Sequence, residues 1–238
     1  MSVKLSVNIN KLATIRNARG GNNPDVVAWA QKIVGYGAHG ITVHPRPDQR
    51  HIRFDDVYRL SEILKVEFNI EGNPTPDFID MVLKVKPAQV TLVPDAPDVL
   101  TSNMGWDTIA HATFLKAVVA RFKAENIRVS IFLDPNPALI ESAKAAGTDR
   151  IELYTEAYAS GYAAGNKEAI IPYIATAEAA LQAGLGLNAG HDLDLHNLKY
   201  FAAQVPGLQE VSIGHALVCD ALEYGMANTV KMYLNQLG

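Results

Sequence analysis

The chain carries one cysteine, Cys219, in 238 residues, which excludes an internal disulfide framework and any zinc site built from several thiolates. It has no apolar run near the ~18 residues a membrane helix requires. Its first residues, Met1-Ser2-Val3-Lys4, run into an alternating segment rather than a signal-peptide core. A cytoplasmic protein with no membrane partner is expected. It also lacks a basic excess: the net charge of −4 argues against nucleic acid as the main partner, while leaving room for a small anion held by a few local cations. No linker, composition shift, close internal repeat or low-complexity stretch divides it. With 48% hydrophobic and 19% charged residues, residues 1–238 suit a single globular domain with a sizeable core, and disorder, collagen and coiled coil are excluded.

What is present is a regular alternation. Eight short β-branched runs read as strands: residues 5–10 (LSVNIN), 40–44 (GITVH), 67–71 (EFNIE), 89–94 (QVTLVP), 129–134 (VSIFLD), 151–155 (IELYT), 185–189 (LGLNA) and 210–215 (EVSIGH). Helical spacing over 25–35, 76–86, 107–125, 137–146, 168–183 and 217–237 lies between or after them. Thr75-Pro76 and Asn136-Pro137 set a capping side chain before a proline, and Gly147 and Gly184 follow the last periodic residue. Roughly thirty residues per βα unit is the economy of the ~250-residue (β/α)₈ TIM barrel, so an α/β fold of that type is expected. An open doubly wound sheet would show a glycine-rich turn after the first strand, where this chain has Asn8-Ile9-Asn10-Lys11.

The strands end in polar side chains: Asn8 and Asn10, His44, Glu71, Asp134, Glu152 with Thr155, Asn188 followed by His191, and His215. In a barrel these ends meet at one face, the face where barrel enzymes build their sites. The loop His44-Pro45-Arg46-Pro47-Asp48-Gln49-Arg50-His51 is stiffened by proline and rich in donors suited to phosphate or carboxylate oxygens. Arg16 and Arg19 add positive charge after the first strand, and Arg19 stands beside two glycines that let it swing over a ligand. The pairs Gly190-His191 and Gly214-His215 mark a second anion site at the seventh and eighth strand ends, where backbone approaches closely and helix N–H groups are free.

Metal hydrolysis through His44, Glu71, His191 and His215 lacks the His-x-His pair and carboxylate cluster such sites use. A Schiff-base aldolase needs an inward lysine, and only Lys11 lies near the mouth, since Lys84, Lys116 and Lys144 sit on helices. Metal-free proton transfer remains, with Glu71 as base, His44 and His191 exchanging protons with carbonyl, imine or hydroxyl groups, and Glu152 orienting or stabilising charge. Spacing alone leaves isomerisation, elimination and condensation open. A non-catalytic phosphate-binding barrel is a third reading.

The set Val7-Asn8-Ile9, Arg16-Asn17-Ala18-Arg19-Gly20, Gly40 to Arg46 (GITVHPR), Arg50-His51-Ile52, Asn69-Ile70-Glu71, Leu92-Val93-Pro94, Asn188-Ala189-Gly190-His191 and Ile213-Gly214-His215-Ala216 resembles the pyridoxine 5′-phosphate synthase family, from about residue 4 to the last helix. The resemblance implies a (β/α)₈ barrel with additional helices, assembled as a homo-octamer. It also implies condensation of 1-deoxy-D-xylulose 5-phosphate with 3-amino-2-oxopropyl phosphate to pyridoxine 5′-phosphate, phosphate and water, with no metal or other cofactor. It implies proton acceptors at His44 and Glu71, a proton donor at His191 and transition-state support from Glu152. The aminoketone phosphate would meet Asn8, Arg19, Gly214 and His215 with Asp192 close by, and the ketose phosphate Arg46, His51 and Thr101. Asn10-Lys11 and Asp192 depart from the family's usual Asp-His and Gly. Residues 95–106 also lack its usual character and read either as a lid or as a packing loop anchored by Trp106.

Overall fold

A computed structural model describes residues 2–95 and 104–238. Eight parallel strands close on themselves in chain order: β1 (Lys4–Asn8), β2 (Gly40–Val43), β3 (Glu67–Gly72), β4 (Gln89–Leu92), β5 (Arg128–Leu133), β6 (Arg150–Tyr154), β7 (Gly186–Gly190) and β8 (Leu208–Ile213). Closure is made by β1 against β8, with Ser6 level with Ser212 and Val7 with Ile213. The helices of the described chain are α1 (Asn10–Asn17), α2 (Val26–Gly35), α3 (Phe54–Ile63), α4 (Pro76–Val85), α5 (Ala112–Ala124), α6 (Ile140–Ala145), α7 (Glu156–Ala163), α8 (Ile171–Gln182), α9 (Leu198–Gln204), α10 (His215–Tyr224) and α11 (Met226–Leu237). The (β/α)₈ barrel with additional helices is the fold.

All eight expected strands are present, with ends shifted by a few residues. The first stops at Asn8, and Asn10 opens α1 instead of extending the strand. The last expected helix is two, because Gly225 at φ +75° turns the chain between α10 and α11. The 107–125 helix begins only at Ala112, and those expected at 137–146 and 168–183 start as 3₁₀ turns, Pro137–Leu139 and Lys167–Ile170. Thr75 and Asn136 cap as expected, accepting from the N–H groups of Phe78 and Ala138. Gly147 and Gly184 take positive φ just past their helices.

Period-two alternation sends one face of each strand toward the helices and the other into the barrel. The outward set, such as Leu5, Val7, Ile41, Val43, Phe68, Ile70, Ile131 and Ile213, forms the apolar core. The inward set is polar well below the strand ends, which differs from the branched aliphatic filling usual in such barrels. At the bottom, Arg128 pairs with Glu67 and donates to Gln89 Oε1 at 2.8 Å. Arg150 reaches Asn188 Oδ1 at 3.2 Å and Glu210 at 3.9 Å. Above lies a ring of short side chains: Ser6 and Thr42 share a hydrogen bond of 2.7 Å, and Thr91 donates to Asn69 Oδ1 at 3.1 Å.

Candidate active site

A cavity of about 480 Å³ opens at the carboxyl ends of the strands, lined by Asn8, Asn10, Lys11, Thr14, His44, Arg46, Arg50, His51, Glu71, Tyr154, His191, Asp192, Ser212, Gly214 and His215. Its floor is Glu71, third of the inward residues of β3 after Glu67 and Asn69, and 1% exposed. Asn8 Nδ2 donates to one carboxyl oxygen at a long 3.4 Å, while the other has no hydrogen-bond partner among the described residues. Burial first, then the charges of Glu152 and Asp95, hold the Glu71 acid well above the usual carboxylate range. Glu152 sits one layer lower, 1% exposed, touching Thr91 Oγ1 at 3.4 Å. Burial, then Glu210, pushes it up to about 8. The floor is thus a stack of two acids that resist ionising together.

One wall is the loop after β2. Asn10 Oδ1 accepts the His44 N–H at 2.9 Å, so the opening residue of α1 fixes the strand end that carries the imidazole. Arg46, 4% exposed, donates to Asp95 at 2.5 Å and faces the cavity from that anchor. Arg16 does not add charge to the mouth as expected from sequence. It is fully buried, donating to Asp56 at 2.7 Å and to the His51 carbonyl at 3.0 Å, and so clamps the loop that presents His51. The rings of His44 and His51 lie 6.2 Å apart, edge to face. Burial, then the Arg46 charge, holds His44 well below the usual imidazole range and His51 at about 4, so both rings are neutral at pH 7. A second cavity, of about 420 Å³, lies on the far side of His44 and Arg46 against α3 and α4.

The opposite wall follows β6, β7 and β8. His191 has φ +84°, unusual for a residue with a side chain, and packs 5.0 Å from the Phe132 ring and 6.2 Å from Tyr154. Its Nδ1 has no hydrogen-bond partner among the described residues, and burial followed by Arg46 lowers it to about 4. Gly190 must be glycine: a Cβ there would lie 2.6 Å from the Ser212 carbonyl and 3.0 Å from Glu152. Gly214 comes close to Asn8, where a Cβ would meet Asn8 Cβ at 3.0 Å, and it delivers the first turn of α10 to the cavity.

Nine of the residues expected at the site share this cavity: Asn8, His44, Arg46, His51, Glu71, His191, Asp192, Gly214 and His215. Glu152 lies beneath it rather than at its surface. Arg19 is exposed beyond α1 and lines none of it. Thr101 and most of the expected lid fall outside the described residues; Trp106, at the segment's end, is buried 5.2 Å from the His111 ring. Asp134 accepts from Gly105 N–H, and Asn188 belongs to the lower layer with Arg150, so neither reaches the mouth. Tyr154 and Thr14 are lining residues that sequence reasoning passed over. The alternation Arg150, Glu152, Tyr154 was the signal for the first. Among the described residues no three His, Cys, Asp or Glu side chains are grouped as a metal ion requires.

A closed parallel barrel, with buried acids under a mouth walled by imidazoles and cations, defines the chain as a (β/α)₈-barrel enzyme with a site for small anionic molecules. Residues 5–238 match the family described as pyridoxal phosphate biosynthesis protein PdxJ, and the chain belongs to that family. Pyridoxine 5′-phosphate synthases of Cytophaga hutchinsonii and Flavobacterium johnsoniae are each 58% identical to it over 234 residues, covering 98% of this chain and 98% and 99% of theirs. Among solved structures, 3-keto-L-gulonate-6-phosphate decarboxylase of Vibrio cholerae matches with a TM-score of 0.65 at 11% identity, covering 100% of both chains. Phosphoribosyl anthranilate isomerase of Thermotoga maritima matches at 0.61 and 18% identity, covering 99% of this chain and 98% of the other. These two likenesses show the fold alone.

Proposed function

We propose that the chain condenses 1-deoxy-D-xylulose 5-phosphate with 3-amino-2-oxopropyl phosphate, releasing pyridoxine 5′-phosphate, phosphate and water. The observation that carries this reading is Glu71: a buried, incompletely hydrogen-bonded acid on the floor of a cavity whose two walls each hold a neutral imidazole and groups suited to phosphate. One phosphate is assigned to Arg46 and His51, with Lys11 and Arg50 near, and Thr101 joins them by resemblance. The other is assigned to Asn8, Gly214, His215 and the first turn of α10, where unsatisfied N–H groups favour a dianion. Arg19 joins this second set only through movement of its exposed segment. The two substrates meet in an imine between their own atoms, so no lysine is needed.

Ring closure requires protons to leave carbon and nitrogen and to reach departing oxygens. His44 and Glu71 accept them, His191 donates, and Glu152 beneath Gly190 steadies the charge that develops above it. A carboxyl whose acid form persists near neutrality is a stronger base once ionised and a competent acid when not. Burial is the larger cause of the lowered values at His44, His51 and His191, and the Arg46 charge adds to it. A phosphate bound on Arg46 offsets that second contribution and moves the three rings part of the way back toward the ordinary imidazole range.

A cytoplasmic homo-octamer is the assembly we assign. Support comes from the family resemblance and from large apolar side chains left exposed on the outside of the barrel, Leu222 of α10 at 80% above all, with Ile171 of α8 and Ile109 in the turn before α5. Among the described residues no helix is long and apolar enough to cross a membrane. The test of the reaction is incubation of the chelator-treated protein with both phosphates, following the pyridoxine chromophore and inorganic phosphate together. Product is expected only when both substrates are present. Its absence at every pH from about 6 to 9, the range in which these acids and imidazoles exchange protons, would overturn the assignment.

A further inference from the structure

Asp192 follows His191 at the end of β7 and lines the cavity. Its main chain is already committed: the N–H donates to Thr155 Oγ1 at 3.2 Å, and the carbonyl accepts from Asn197 Nδ2 at 3.2 Å. The side chain is therefore what this residue offers to a ligand. That carboxyl is half-buried, and it makes no hydrogen bond or ion pair among the described residues. Burial, then the charge of Glu156 on α7, raises it to about 6, which leaves it ionised at neutral pH.

Its setting is unusual for an anion. The charged groups lining the cavity include Lys11, Arg46 and Arg50, and the deeper acid, Glu71, is raised well above the usual carboxylate range by burial and by its neighbouring acids. A half-buried carboxylate without a partner is unfavourable in a folded protein unless a ligand supplies one. Phosphates and carbonyls do not, and a hydroxyl offers one neutral hydrogen bond without an opposite charge. Of the groups carried by the two proposed substrates, the amine of the aminoketone phosphate is the one that becomes a cation.

We infer that the Asp192 carboxylate binds the amine of 3-amino-2-oxopropyl phosphate as its ammonium. The inference rests on the proposed reaction for the identity of the ligand. It gives the aminoketone recognition at both ends, phosphate on Gly214, His215 and the first turn of α10, and nitrogen on Asp192, so that one orientation presents the carbonyl between the walls. It also gives a basis for refusing the oxygen analogue, dihydroxyacetone phosphate, which has the same skeleton with hydroxyl in place of amine.

Calorimetric titration of the full chain with each of these two compounds, in the absence of the ketose phosphate, reads this contact directly and needs no turnover. The native protein is expected to prefer the amine by about tenfold or more, the scale on which a site loses affinity when a charged or polar partner goes missing. Asp192→Asn should abolish the preference while leaving dihydroxyacetone phosphate binding unchanged, and Asp192→Glu should restore part of it. In steady state Asp192→Asn should raise KM for the aminoketone and leave KM for 1-deoxy-D-xylulose 5-phosphate unmoved. Equal binding of both compounds by the native protein overturns the inference, as does a preference that survives in Asp192→Asn. Tighter aminoketone binding by that variant also overturns it, showing that the carboxylate merely repels phosphate. If the native protein binds neither compound, the failure lies in the proposed function and removes the inference with it.

Discussion

The lower and upper halves of the barrel interior are built from the same kinds of residue and treat them differently. Below, Arg150 is surrounded by Asn188, Gln89 and Glu210, and Arg128 by Glu67 and Gln89, so each of these largely shielded charges faces an opposite one. Above, Glu71, Glu152, His191 and Ser212 each keep a buried polar atom with no partner among the described residues. Two orphans, Ser130 Oγ and Asn188 Nδ2, also lie below, but neither belongs to a charged group. Buried charge that is fully paired holds a shape, whereas buried acid left half-bonded keeps a proton ready to move. The lower layer is the scaffold on which the upper one is kept reactive.

The largest effect that sharpens this contrast is expected from Glu71→Gln: turnover should fall about 10²- to 10⁴-fold, while the urea midpoint stays level or rises. Arg150→Met should do the reverse. Leaving Glu210 buried without its cation should cost about 3 kcal/mol in urea unfolding, with turnover per folded molecule within about threefold of native. The halves would lose their distinction if the two variants exchanged phenotypes.

The pH dependence of stability is a smaller test. Glu152 has a folded value raised from 4.5 to about 8, so the folded state holds a proton that the unfolded chain has released, and stability falls as pH rises between those values. In Glu152→Gln that decline should shrink. His51 and His191, lowered from 6.5 to about 4, act in the opposite direction, with stability lost as pH falls through that window. Urea midpoints across pH would contradict the assignment if the decline between 4.5 and about 8 were the same in native and Glu152→Gln protein. The smallest expected effects come from two orphaned serines. Ser130→Ala should change neither turnover nor stability beyond about 0.5 kcal/mol, while Ser212→Ala, beside Glu71, should lower turnover severalfold at unchanged stability.

Sequence carried the ring of eight strands because each strand is short, β-branched and bounded by turn residues. Strand-end polarity located Asn8, His44, Glu71 and His191 at one mouth. What escaped it was what each polar group faces. Arg16 reads as a mouth cation, and only the fold shows Asp56 of α3 waiting for it. Helix α3 was itself missed, although Val57 and Leu60 sit at helical spacing behind the acidic pair Asp55-Asp56. Helices α1, α7 and α9 carry few buried side chains each, too few to stand out as periodic. The depth of Glu152 also needed coordinates, since alternation says that a residue points inward without saying at which level it lies.

The hydrogen bonds between β1 and β8 have a consequence for folding. Asn8 and Gly214 lie far apart in sequence, yet their backbones come almost into contact at the mouth of the cavity. Neighbouring strands of the ring are joined across one βα unit, whereas this seam spans nearly the whole barrel and carries the largest loop-closure cost of any strand pair in it. Loosening of the β1–β8 seam would therefore open the cavity before it disturbed the other strand pairs.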